Sequence, residues 1–142
     1  MNYKAYTLDT LGSLGIHKFL KGAEYIAFGI EYLFLLTPFT TPESEMIYDD
    51  ASKKFSLTPV AIENSMRNTI QLIWSQKKNP ELMVKIFGSY NMKKRPCNME
   101  FLVLLYNYIR LYFEGSDNVN RLNDIWEENK KTHREHNNSS TK

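Results

Sequence analysis

Apolar residues recur along this chain at helical intervals, and those intervals predict helices almost throughout. Leu8 to Leu14 reads as a short first helix, with Gly15 as its stop. From Phe19 to Leu36, Tyr25, Ile26, Ile30, Leu33 and Phe34 recur at helical spacing, and apolar residues cover most of the circumference. That predicts the central, most buried helix. Pro38 and Pro42 bound a loop, Thr37 to Thr41. A third helix is expected over Glu43 to Phe55, with Thr41 as its cap, Pro42 in its first turn, and Glu43 and Glu45 complementing the positive helix end.

After a break at Ser56 and Leu57, Thr58 caps a fourth helix whose first position is Pro59 and which runs to about Ser75. Ile62, Met66, Ile70, Ile73 and Trp74 form its apolar stripe. A short fifth helix is expected over Pro80 to Phe87, ended by Gly88, and then a basic loop or wing over Ser89 to Pro96. A sixth helix is predicted from Asn98 to Phe113, broken by Gly115 and Ser116, and a seventh from Val119 to Lys131 on the spacing of Val119, Leu122, Ile125 and Trp126. No strand pattern and no internal repeat is present. The predicted fold is all-α, with six to seven helices. Residues 1–116 read as one domain, 117–131 as an extension helix and 132–142 as a polar, disordered tail.

The third and fourth helices, Glu43 to Gln76, have the layout of a helix-turn-helix. That motif needs a small residue where the helices cross, and Ala51 is available. It needs an apolar residue to seal the corner, which Leu57 is expected to supply. Its second helix must bury one face and offer a polar face to the major groove. Glu63, Asn64, Arg67, Asn68 and Gln71 fall together opposite the apolar stripe. These are groove-reading types: Arg suits guanine, Asn and Gln suit adenine, and Glu accepts from cytosine. The same spacing also describes any surface helix with polar residues opposite its core.

Charge sharpens this picture modestly. The formal net charge is only +2, which by itself does not point to nucleic acid, but its distribution is uneven. Lys53, Lys54, Arg67, Lys77 and Lys78 stand against only Glu63 in the middle of the chain, and Lys93, Lys94 and Arg95 form a second basic cluster. Lys53, Lys54, Thr58, Lys93, Lys94 and Arg95 are therefore the expected phosphate contacts.

Other chemistry is sparse. His17, His133 and His136 are scattered, so no metal site is expected, and no cofactor motif is present. Asp49 and Asp50 are adjacent and diverge on a helix, so they cannot form a facing acid–base pair. The chain reads as a non-enzyme. Cys97 is the only cysteine, which fits a reducing, cytoplasmic compartment. The start lacks the pattern of a signal peptide, and the most apolar stretch, Tyr25 to Leu36, is too short to span a bilayer.

An ordered set of segments carries a family resemblance. They are Leu20-Lys21-Gly22 with Tyr25 and Ile30; Ile47-Tyr48-Asp49 running into Ala51-Ser52-Lys53-Lys54-Phe55; Thr58, Ile62-Glu63, Met66-Arg67, Ile70 and Trp74-Ser75; Ile86-Phe87-Gly88; and Arg95-Pro96 through Asn98, Glu100-Phe101 and Arg110-Leu111. Over Leu14 to Leu111 the chain resembles the C-terminal DNA-binding effector domain of the master sporulation response regulator of endospore-forming bacteria. The resemblance implies a six-helix fold with a central helix-turn-helix. It further implies major-groove reading by the fourth helix, often by two copies in tandem on repeated sites.

In full-length members of that family a phosphorylated receiver domain precedes the effector. The few residues ahead of Leu8 lead to the expectation of no receiver here, and so no activation by phosphorylation in cis. The chain departs from the family's arginines at Ala61 and Asn64, from its histidine at Asn68, and from its basic residue near Glu114. These departures imply altered specificity.

Two function classes follow. The first is a DNA-binding transcriptional regulator that works on double-stranded DNA, as a monomer, homodimer or tandem dimer, with RNA polymerase as a further partner and no membrane role. The second is a protein-interaction module that keeps the fold and modulates a related regulator or RNA polymerase without reading DNA. Tyr106, Tyr112 and Trp126 are expected to pack within the chain rather than across a dimer.

Overall fold

The computed structural model describes residues 2–36 and 43–114. Its elements are α1 (Tyr3–Ser13), α2 (Lys21–Leu35), α3 (Ser44–Phe55), α4 (Pro59–Gln76), α5 (Pro80–Phe87), α6 (Tyr90–Lys93) and α7, described over 98–114. No strand occurs among the described residues, and the fold is all-α. Two compact units are delimited, Met1–Ile109 and Arg110–Lys142. The second is described only over 110–114, where Arg110 Nη1 pairs with Glu114 Oε2 at 3.0 Å. The expected loop Thr37 to Thr41, the seventh helix at Val119 to Lys131, Trp126 and the polar tail lie outside the described residues.

α1 starts five residues earlier than its apolar pattern predicts. Asn2 caps it by accepting the N–H of Ala5 at 2.9 Å. Thr7 and Thr10 are buried inside it, which is possible because their hydroxyls donate to the carbonyls of Tyr3 and Tyr6 at 2.7 and 2.9 Å. A buried hydroxyl that keeps a hydrogen bond escapes the desolvation cost, so the first turns need no apolar stripe. The helix ends in a Schellman motif. Gly15 takes φ +98°, its N–H donates to Gly12, and the N–H of Ile16 donates to Leu11. Leu11 and Ile16 are both buried beneath that turn.

α2 begins at Lys21 rather than Phe19. His17 to Leu20 form a turn closed by Leu20 N–H to His17 C=O at 3.0 Å, which leaves Phe19 exposed. As expected, α2 is the central helix: Tyr25, Ile26, Ile30 and Leu33 are buried, and it packs on α1, α3 and α4. α3 begins at Ser44 with Glu43 at its cap position and no capping bond from that side chain; Thr41 and Pro42, the expected cap and first-turn residue, lie outside the described residues.

α5 is capped by Asn79, which accepts the N–H of Leu82 at 3.2 Å, and it ends at Gly88 as predicted. The expected basic loop over Ser89 to Pro96 instead contains α6. Trp74 Nε1 donates to the carbonyl of Asn91 at 2.6 Å, and Asn91 Nδ2 donates to that of Phe87 at 2.8 Å. These two buried bonds fold the segment onto the core. Trp74, Phe87 and Phe101 pack beneath it with centroids 4.9 to 6.1 Å apart. Tyr106 meets Phe34 edge-on at 4.7 Å and so packs within the chain. Tyr112 belongs to the second unit.

Candidate nucleic-acid interface

α3 and α4 are joined by three residues, Ser56 to Thr58. Ser56 adopts the left-handed conformation (φ 58°, ψ 44°), and the N–H of Leu57 returns to Ser52 C=O at 3.1 Å. Thr58 then caps α4, its hydroxyl oxygen accepting the N–H of Ala61 at 3.1 Å, with Pro59 next as predicted. Ala51 is fully buried. Leu57 does not seal the corner: it is 42% exposed, because the left-handed Ser56 reverses the chain and turns the next residue outward.

The predicted stripe of α4 anchors the helix. Ile62, Met66, Ile70 and Ile73 are completely buried and Trp74 nearly so. Each such side chain contributes about 1.5–3 kcal/mol of burial. An exposed polar contact contributes well under 1 kcal/mol. Apolar packing therefore fixes which face of α4 looks outward, and the polar side chains inherit that orientation.

On the outward face Asn64, Asn68 and Gln71 are exposed, while Glu63 and Arg67 are partly exposed. Arg67 Nη2 lies 3.0 Å from Glu63 Oε2, and Arg67 Nη1 donates to Asn64 Oδ1 at 2.6 Å. The guanidinium is thus held by the preceding turn of its own helix. Asn68 and Gln71 make no side-chain hydrogen bond among the described residues.

Glu63 is also tied through its backbone. The side-chain amide of Asn98, at the start of α7, donates to Glu63 C=O at 3.0 Å and to the Tyr48 hydroxyl at 3.1 Å. Asn98 and Tyr48 are buried, so this amide pins α3, α4 and α7 at one point. Burial, outweighing the opposing hydrogen bond from Asn98, holds the Tyr48 phenol above its ordinary pKa.

The six expected phosphate contacts fall in two places. Lys53 and Lys54 lie exposed in the last turn of α3, where cations complement the negative helix end. The Lys54 ammonium also sits 5.7 Å from the ring centroids of Phe28 and Phe55. Thr58 is exposed, and although its oxygen caps α4, its O–H can still donate outward. Lys93 and Lys94 are exposed and Arg95 half-buried, at and just beyond the end of α6.

An open cleft of about 700 Å³ lies between α4 and the second of these places, and Lys53, Lys54 and Thr58 are not among its lining residues. Glu63 and Arg67 line it from α4, Tyr90 from α6, and Lys94, Arg95 and Cys97 from the segment that follows. Tyr90, 77% exposed, and the positioning residues Asn91 and Asn98 were not marked by the sequence pattern. A buried amide leaves no periodic trace, and the basic run around Tyr90 reads as a solvated loop.

The family model for the Spo0A C terminal of the sporulation initiation factor matches residues 7–109, well over half of the chain. No solved structure matches the chain.

Proposed function

The chain belongs to the Spo0A C-terminal family of sporulation initiation factors, a family of DNA-binding transcription-factor domains, and on that premise we propose that its α4 reads the major groove of double-stranded DNA with a specificity of its own. The observation that carries this reading is the outward face of α4, where Asn64, Arg67, Asn68 and Gln71 stand exposed or half-exposed on a helix fixed by its buried stripe. Such side chains can pair with base edges. Glu63 acts through Arg67, which it holds in place.

Lys53, Lys54 and Thr58 at the turn, and Lys93, Lys94 and Arg95 beyond it, grip phosphates on either side of the reading helix. Phosphate contacts set register and supply most of the affinity, while base contacts choose the sequence. The α3–α4 pair is thus the helix-turn-helix of the domain. The domain works as a monomer or as paired copies on repeated sites.

Fluorescence anisotropy on a mixed-sequence duplex across a salt series tests the reading. Binding is expected near 50 mM salt, with affinity falling steeply toward 200 mM as contacts release counterions. Absence of any binding near 50 mM would overturn it and favour a domain that acts through protein contacts alone.

A further inference from the structure

We infer that the half-site preferred by α4 is rich in A·T pairs, read by Asn68 and Gln71 at adenines and by Val60 at a thymine methyl. This rests on the groove-reading role proposed for α4 and names the sequence class that the helix takes.

Val60 is the first observation. It stands in the first turn of α4 and is 62% exposed. At about 100° per residue, Val60, Asn64, Asn68 and Gln71 lie within an arc of about 80°. Val60 lies at one edge of that arc, with Arg67 and Glu63 within about 60° on its other side, so an apolar branched side chain stands amid an otherwise polar face. It is also at the N-terminal end of the helix, the end from which reading helices touch base edges. In the major groove one base-pair feature is apolar, the C5 methyl of thymine.

The state of the polar groups is the second observation. Guanine reading uses a guanidinium edge presented to O6 and N7. In Arg67 each terminal nitrogen already spends one N–H within the helix, on Glu63 at 3.0 Å and Asn64 at 2.6 Å, which turns the guanidinium back along α4. The Asn64 carbonyl is committed in the same contact. Asn68 and Gln71 carry amides with no side-chain hydrogen bond among the described residues, and such an amide is the bidentate partner of adenine N6 and N7. From Val60 to Gln71 the helix rises about 16 Å, roughly five base-pair steps, so these side chains can address different pairs of one half-site.

The test starts with selection of preferred duplexes from a random pool by the full chain. An A·T-rich core is expected. On the selected duplex, replacing thymine by uracil at the contacted position removes only the methyl. It should weaken the wild-type chain several-fold and leave Val60→Ala unaffected. Asn68→Ala should lower affinity for the selected duplex by on the order of tenfold while leaving its affinity for a G·C-only duplex unchanged. Both substitutions are at exposed positions, and thermal melting checks that each variant is folded.

Selection of a G·C-rich core, equal affinity for all duplexes, or equal loss on uracil substitution in both chains would each overturn the inference while leaving DNA binding intact. Failure to bind any duplex would remove the inference together with the groove-reading role.

Discussion

At the scale of single residues, the side chains facing outward and those that set their position left very different traces in the sequence. Asn64, Arg67, Asn68 and Gln71 were legible because helical spacing puts them opposite Ile62, Met66, Ile70 and Ile73. Asn98 and Tyr48 were not legible as a pair, since their contact joins residues 50 apart in the chain. Their pairing makes a titration prediction. Burial raises the Tyr48 pKa in the folded state, whereas the unfolded chain has the ordinary value of about 10. The neutral phenol is therefore favoured by folding. Its contribution is complete below about pH 10 and is lost as pH rises through the folded-state value. Tyr25 and Tyr32 are shifted the same way, chiefly by burial, so the alkaline decline has several sources. Tyr48→Phe should cost about 1 kcal/mol at neutral pH through the lost hydrogen bond, with Asn98 still bonded to Glu63, and should make the decline above pH 10 shallower. Urea unfolding at pH 7 and above pH 10 measures both, and an unchanged alkaline decline would show that Tyr48 does not titrate with unfolding.

At the scale of elements, periodicity located the helices better than their ends or their crossings. The boundaries of α4 and α5 came through because Thr58-Pro59 and Pro80 with Gly88 are strong local signals. The start of α1 did not, because its buried threonines solve their own hydrogen bonding and break the apolar pattern. Nor did the α2–α4 crossing, which depends on Gly22. A Cβ added there would lie 1.8 Å from Thr69 Oγ1 and 2.8 Å from the backbone oxygen of Ser65. The threonine can rotate but the carbonyl belongs to α4 itself, so the helices would have to part. Gly22→Ala gains up to about 1 kcal/mol in helix propensity but meets an overpacking cost of typically 1–3 kcal/mol, and the contact with backbone puts it at the upper end. A net destabilisation of about 1–2 kcal/mol is expected. Gly12→Ala is the opposite case: Gly12 lies in α1 with nothing within 4 Å of the added carbon, so the propensity gain of about 0.5–1 kcal/mol should appear undiminished. Thermal melting of the two variants should move in opposite directions, and a shared direction would mean that packing at Gly22 is looser than these distances require.

At the scale of the whole molecule, charge placement decides more than total charge. A net charge of +2 gives little attraction for DNA as a whole, yet Lys53 and Lys54 close α3 while Lys93, Lys94 and Arg95 follow α6. The sequence showed both clusters but not that the second would be held against α4. That placement comes from Trp74 and Asn91, whose bonds turn an expected loop into a helix packed on the core. Because the second cluster is fixed beside the proposed reading helix and not on it, its contribution to DNA binding should be independent of sequence. Lys94→Ala is therefore expected to weaken binding to every duplex by the same factor and to reduce the salt slope by about 1, the signature of one lost phosphate contact. Arg67→Ala should instead change affinity by an amount that depends on the base pair offered, since it releases the Glu63 and Asn64 side chains that Arg67 engages on the face of α4. Parallel salt titrations of both variants on two unrelated duplexes separate the cases. A sequence-dependent loss for Lys94→Ala would move that lysine into the groove, and an unchanged salt slope would remove it from the interface altogether.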